Sequence, residues 1–346
     1  MWGVDLSIFQ FHSQLTWACF FLNADKTIYG RYGSRGATGT SGFKGNDKEV
    51  SIEGLKKALQ GALELHAEFP KNKASLAGKT GPAPAVRTAE SYPVAERKNL
   101  KRAEENQGKG CIHCHQVQDF DFQAARGSGQ AVPDRLLWTY PMPDLLGFSL
   151  DPAERASVTA VKAGSPAAKA GMKQGDKVAA MDGQPILSTA DVQWVLHQAK
   201  EPGSVKVQLD RGGQKSEVTL ALAAGWRRGM SFSDNLSLGW VTRGNVAGMR
   251  TQEAPADEKQ KLGLAAGGLA LKILEITPDF VKERNQSAKK IGLQKGDVIV
   301  EVDGMKSAMT ESEFLAYLIQ KKKAGMKADL TYVRGGKPAK VVLDVP

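Results

Sequence analysis

Cysteine and histidine are scarce in this sequence, with three and five among 346 residues. So few thiols exclude a scaffold stapled by disulfides. The spacings G-x-S-x-G, H-E-x-x-H and the phosphate-binding P-loop are also missing. Ser165 and Ser188 have no histidine base close in sequence, so no catalytic constellation is legible and protease activity is not supported. No apolar run approaches the roughly 20 residues of a membrane-spanning helix. No basic stretch followed by an apolar one opens the chain as a secretory signal would. The net charge is +10, and half of it comes from residues 71–110, where nine Lys/Arg stand against four Asp/Glu with Tyr92 as the one aromatic residue. Basic charge without interleaved aromatics argues against nucleic acid as a partner. The 41% hydrophobic content suffices for two to three small cores.

The chain does contain an internal repeat. Ala170-Gly171-Met172-Lys173-Gln174-Gly175-Asp176-Lys177-Val178, followed by Asp182-Gly183, returns as Ile291-Gly292-Leu293-Gln294-Lys295-Gly296-Asp297-Val298-Ile299, followed by Asp303-Gly304. Gly171 and Gly292, Gly175 and Gly296, and Asp182 and Asp303 are each 121 positions apart. Glycine at a helix end supplies a positive φ without a Cβ clash, and Asp-Gly between apolar runs signals a hairpin. The pattern therefore predicts a short helix, a Gly-Asp turn, a strand and a tight turn, twice. In the first copy the flanks predict a strand over 157–161, an amphipathic helix over 189–199 capped by Ser188 or Thr189, and strands over 204–211 and 216–222. In the second they predict a strand over 270–276, a helix over 311–320, and two strands around Gly335-Gly336. A longer polar stretch, 278–290, replaces the compact entry Gly164-Ser165-Pro166-Ala167 of the first copy.

This arrangement resembles the bacterial type of PDZ domain. The resemblance implies capture of an extended peptide as an added strand, with its terminal carboxylate held by backbone N–H groups of an apolar-Gly-apolar loop. Leu145-Leu146-Gly147-Phe148 fits that loop in the first copy and Leu238-Gly239-Trp240 in the second. Val192 and Leu196, and likewise Phe314 and Leu318, would then border the pocket for the last peptide side chain, or else belong to the core. The offset exceeds the length of one such domain, and the excess lies in 226–264, so the two copies are related but not equivalent.

A second motif is Gly110-Cys111-Ile112-His113-Cys114-His115. C-x-x-C-H is the attachment sequence of c-type haem, in which both thiols add to vinyl groups and the adjacent histidine, His115, reaches the iron. A thiol redox pair, a transient metal site, or no cofactor at all are the alternatives. Structural zinc requires four closed ligands, and no second Cys or His pair lies nearby. Tyr140-Pro141-Met142-Pro143 offers Met142 as a distal thioether, although it stands close to His115 for a wrapped haem and reads rather as a loop or packing residue.

Upstream, residues 5–11 and 15–22 read as strands, 23–26 as a turn, 27–32 as a return strand and 51–69 as a helix. The run Trp17-Ala18-Cys19-Phe20-Phe21-Leu22-Asn23-Ala24-Asp25-Lys26-Thr27-Ile28-Tyr29-Gly30-Arg31-Tyr32-Gly33 resembles the closing hairpin of a thioredoxin-like domain. Such a remnant lacks the C-x-x-C and the cis-proline that the chemistry requires, and Cys19 reads as a small apolar strand residue.

The expected class is thus multidomain α+β. It comprises a partial thioredoxin-like α/β remnant (1–70), a solvated basic Ala/Pro/Gly linker (71–108) with a helix near 95–107, the C-x-x-C-H segment (109–143), and two PDZ-like β-barrel or sandwich domains of two helices each (144–225 and 226–346). The expected function is binding of peptide or protein C-termini in the periplasm or cell envelope, with the export signal missing from this sequence. A redox protein or electron carrier that uses the PDZ-like domains for docking to a redox partner is the alternative, and a scaffold without cofactor is a third reading.

Overall fold

The computed structural model describes residues 1–13, 15, 17–33, 50–97, 111–129, 131–232, 246–276, 287–323 and 325–345. The chain forms two compact units. One comprises residues 1–120 and 138–230, the other residues 121–137 and 231–346.

In the first unit, strands β1 (Cys19–Leu22) and β2 (Ile28–Tyr32) form an antiparallel hairpin. Its turn closes when the Thr27 N–H donates to both Asn23 and Asp25 Oδ1 at 2.9 Å. Helix α1 (Ile52–Ala67) begins at Ser51, whose hydroxyl accepts from the Gly54 N–H. Its buried face is made of Gly54, Ala58, Gly61 and Ala62. Small residues let the helix approach closely: a Cβ on Gly54 would overlap the Pro152 carbonyl. Lys57 pairs with Glu154, and Arg155 with Glu64 at 2.7 Å, so α1 is fastened to the loop at 151–156. Residues 5–11 form turns rather than the expected strand, because Asp5 accepts locally from the Ser7 N–H and the Phe9 N–H bonds back to the Asp5 carbonyl.

Composition misleads most in the stretch expected to be a solvated linker. Its described part, 71–97, folds into α2 (Lys73–Leu76), two single 3₁₀ turns and α3 (Pro93–Arg97), and it buries Leu76, Lys79, Ala89 and Tyr92. The part of the expected 95–107 helix beyond residue 97 lies outside the described residues. Helix α4 (Cys114–Gly127) and the short α5 (Asp134–Leu137) follow.

The first repeat runs β3 (Phe148–Leu150), β4 (Val158–Val161), α6 (Pro166–Lys169), β5 (Lys177–Met181), β6 (Gln184–Pro185), α7 (Thr189–Gln198), β7 (Gly203–Arg211) and β8 (Gln214–Leu222). Strands β3 and β4 make one sheet and β6-β5-β7-β8 a second. Residues 226–229, grouped by sequence with the second domain, belong to this unit. Arg227 Nη2 donates to the Ala199 carbonyl at 2.6 Å, and Trp226 packs on the first core.

The second repeat comprises β9 (Met249–Glu253), α8 (Ala256–Lys261), β10 (Leu271–Ile276), α9 (Ser287–Lys290), β11 (Val298–Val302), α10 (Glu311–Lys321), β12 (Lys327–Arg334) and β13 (Lys337–Asp344). Here all five strands share one sheet, β13-β12-β11-β10-β9. Helix α8 is a third helix that the two-helix expectation omits. Gln320 Nε2 donates to the Val132 carbonyl at 2.9 Å and to Asp134 Oδ1 at 2.6 Å, which ties α10 to the segment at 132–134.

The repeated Gly-Asp earns its place by the same clasp in both copies. Asp176 is fully buried and receives the Arg211 guanidinium (Nε 2.6 Å, Nη2 2.9 Å) and the Lys173 N–H at 2.8 Å. Asp297 receives Arg334 (2.7 and 2.7 Å) and the Gln294 N–H at 2.8 Å. Each arginine also donates to a helix-terminal carbonyl, Gly171 or Gly292. Hydrogen bonding to Arg211 holds the Asp176 carboxyl below the ordinary carboxylate range against the opposing effect of burial. Asp182 and Asp303, both at positive φ, accept from Lys206 and Asp329 N–H and close the Asp-Gly turns.

Candidate functional site

The 3₁₀ turn at Pro143–Leu146 ends in Gly147, at φ +85°. The Gly147 N–H closes the turn on the Asp144 carbonyl at 2.9 Å, so the next backbone donor after the turn is that of Phe148. No other residue type fits at Gly147, since a Cβ would run into Ser165. The Gly147 carbonyl accepts from the Lys162 N–H at 2.8 Å. That bond makes Phe148–Val161 a non-bonded antiparallel pair, so the Phe148 N–H and C=O point away from β4, to the side of β3 on which no strand pairs. Leu146 and Phe148 are each 1% exposed, and Val192 and Leu196 are fully buried in the same cluster. All four side chains therefore belong to the core of the first repeat; Gly147 is buried beside them, and β3 comes to the surface at Ser149.

Helix α7 is held on its other faces by the chain's own N-terminal part. Asp191 accepts from the Arg31 N–H at 3.1 Å and the Leu187 N–H at 3.0 Å, and it meets the Lys79 ammonium at 2.8 Å. Trp194 Nε1 donates to the Gly78 carbonyl at 2.8 Å. The Arg31 guanidinium lies 3.9 Å over the Trp194 ring and donates to the Lys79 carbonyl; burial pushes its pKa down to about 10. The segment leading into the glycine loop is tied to the same helix. Gln193 Nε2 donates to the Tyr140 carbonyl at 3.0 Å, the Tyr140 N–H faces His197 Nδ1 at 3.3 Å, and the Tyr140 ring stacks on His197 at 4.1 Å. A small cavity lined by Phe11, His12, Leu15, Tyr140, Ala190 and Gln193 has room for about one water.

In the second repeat, Leu238-Gly239-Trp240 lies outside the described residues. Phe314 and Leu318 are fully buried. The strand beside α10 is β9, and the Thr251 N–H donates to Glu311 Oε1 at 2.6 Å.

In the C-x-x-C-H segment, Cys111 precedes α4, Cys114 is its first residue and His115 its second. Both cysteines are half-buried and neither is in a disulfide. Ile112 and Phe120 anchor the segment in a cluster with Leu6 and Tyr92. The His113 and His115 rings are parallel at 5.5 Å. His115 is exposed at the surface, and partial burial, followed by the neighbouring His113, favours its neutral form. Two reachable thiols and a neutral imidazole are the donor set that covalent haem requires. Among the described residues no group of three His, Cys, Asp or Glu is placed to hold a metal ion. Met142 is half-buried and opens the turn at 143–146. Cys19 is half-buried on β1, and burial pushes its thiol pKa up.

Sequence reasoning did not single out Tyr140, Gln193, His197, Thr251 or Glu311. The available signals were the i, i+4 spacing of Gln193 and His197 and a carboxylate at the first position of α10. Among the described residues no helix is long and apolar enough to cross a membrane.

The family model described as "PDZ domain" matches residues 144–222 and 274–345, so the chain carries two PDZ domains. It is similar to a "Probable periplasmic serine endoprotease DegP-like" of Pseudomonas savastanoi pv. phaseolicola (strain 1448A / Race 6), 31% identical over 166 residues that cover 48% of this chain and 32% of that protein. It is also similar to the "Periplasmic pH-dependent serine endoprotease DegQ" of Escherichia coli (strain K12), 33% identical over 160 residues that cover 45% and 29%. The chain thus spans about a third of the length of these curated relatives. Among solved structures, the HtrA3 PDZ domain bound to a phage-derived ligand matches at 19% identity and a TM-score of 0.22, over 29% of this chain and 82% of that one.

Proposed function

We propose that this chain is a peptide-binding module of the cell envelope, and that its first PDZ domain takes up polypeptide C-termini along β3 with the carboxylate at the Gly147 loop. The observation that carries this reading is the Gly147–Phe148 geometry. A left-handed glycine with no room for a side chain sits directly before a strand whose next N–H and C=O lie on the side where no other strand pairs. Backbone bonds along that edge would supply affinity, and the loop would supply selectivity for a free terminus. The periplasmic relatives support the envelope location.

The test is capture of a labelled pool of hexapeptides by the full chain. Peptides with a free terminal carboxylate are expected to bind at least tenfold more tightly than the same pool amidated. Equal binding of the two pools would reject the carboxylate loop.

The C-x-x-C-H segment adds a second element, supported by the reachable thiols and the exposed imidazole at one helix start. Cys111 and Cys114 would hold haem c by thioether bonds and His115 would be its ligand; when bound, the haem supplies one-electron chemistry. In that case a redox partner is implied, with the PDZ domains docking it. Expression in a host that matures c-type haem is expected to give a haemochrome spectrum and a mass raised by one covalent haem. A mass unchanged by that host would leave Cys111 and Cys114 as a thiol pair.

A further inference from the structure

We propose that Glu311 sets the affinity of the second PDZ domain for its peptides by occupying the backbone donor that an incoming strand would use. The proposal rests on the peptide-binding reading above.

The register of β9 identifies that donor. The Ala254 N–H donates to the Ala270 carbonyl at 2.8 Å, which fixes the alternation of bonded and non-bonded pairs along β9 and β10. Thr251–Ile273 falls on a non-bonded pair, so the Thr251 N–H points away from β10. The Ile273 N–H correspondingly turns to the Asp297 carbonyl at 2.8 Å. Strand β9 is the last in the sheet order, and its outward edge faces α10. Thr251 is thus the counterpart of Leu150 in the first domain, as Met249 after the left-handed Gly248 is of Phe148, and among the described residues no carboxylate takes the Leu150 N–H.

Glu311 takes this donor at 2.6 Å. It is the first residue of α10, directly after Thr310, which is locked to Glu313 by a reciprocal capping box. The backbone of Glu311 is therefore fixed, and its carboxylate crosses from helix to strand. The residue in the same place on α7 is Thr189, too short to do so. A charged acceptor bonds roughly twice as strongly as a neutral carbonyl, so a peptide carbonyl would have to displace the better partner. Beside this contact the Thr251 hydroxyl is buried without a hydrogen-bond partner among the described residues, a polar group that an added strand or its water could satisfy.

Amide hydrogen exchange and peptide binding on the full chain test the proposal together. Glu311→Ala is expected to accelerate exchange at Thr251 by about tenfold or more without peptide, and to tighten binding of the free-carboxylate hexapeptide pool at the second domain by about tenfold, the equivalent of one charged hydrogen bond. Protection of Thr251 by bound peptide assigns the binding to that domain. Glu311→Gln, with a neutral acceptor of the same shape, is expected to fall between. Unchanged exchange at Thr251 would overturn the cap. Faster exchange with unchanged or weaker peptide binding would overturn its role in affinity. Faster exchange with no peptide protection of Thr251 in either protein would instead reject peptide binding at this domain, and the affinity role with it.

Discussion

Asp191→Ala is expected to cost about 3–5 kcal/mol of unfolding free energy in the first unit, the range for breaking a fully buried ion pair. Asp191 and Lys79 have side chains 0% and 1% exposed, with charged atoms 2.8 Å apart. Burial depresses the Lys79 pKa, and Asp191 is the main group opposing that fall. Without the carboxylate, the ammonium would stand beside the Arg31 guanidinium in an apolar seam and would shed its proton or draw in water. The Arg31 and Leu187 N–H groups would lose their acceptor as well, at about 1–3 kcal/mol each when left unsatisfied. Lys79→Met should be milder, because Asp191 keeps both backbone donors and a favourable place in the first turn of α7. Hydrogen exchange of the α7 amides under increasing urea measures both variants. If Asp191→Ala shifts that protection by less than about 1 kcal/mol, the seam does not hold the helix. If Lys79→Met is the more damaging, the backbone donors do not share the carboxylate as described.

This seam also marks where the sequence stopped being readable. The repeat was legible because its residues answer local demands. Gly171, Gly175 and Gly183 sit at positive φ, and Asp176 must meet an arginine that the hairpin returns to it. Such demands leave a fixed spacing, and they leave it twice. Lys79 had no such signature. Its neighbours are the Lys, Gly and Pro of a stretch that reads by composition as solvated, and the partner that buries it is 112 positions away, a contact of tertiary structure that composition does not encode. The expected 5–11 strand failed for the opposite reason. Its apolar pattern was genuine, but Asp5 offers Ser7 a local acceptor that competes with strand pairing. In the candidate site, Gly147 and Phe148 were visible as a motif, whereas Glu311 was not. Only the β9–β10 register shows that the Thr251 N–H points at its carboxylate.

Gly147→Ala is expected to abolish capture of C-terminal peptides by the first domain and to destabilise it by about 2–4 kcal/mol. Two separable costs add. At φ +85° a Cβ meets its own backbone, which accounts for about 1–2 kcal/mol. That same Cβ would overlap the Ser165 Cβ and Oγ, and Ser165 cannot retreat freely because its hydroxyl accepts from the Ala168 N–H and caps α6. The loop would yield instead, turning the Phe148 N–H away from the place of the carboxylate. Ser165→Gly in the same chain removes the overlap at the cost of a few tenths of a kcal/mol in capping. The double variant should therefore regain about half of the lost stability, and it should recover peptide capture only in part, since the left-handed strain persists. Thermal melting and binding of the free-carboxylate hexapeptide pool, compared with its amidated form, read the two effects separately. A folded Gly147→Ala chain in which β3 amides are still protected by bound peptide would remove this loop from the site. Recovery of stability without any recovery of capture would show that the loop matters to the fold alone.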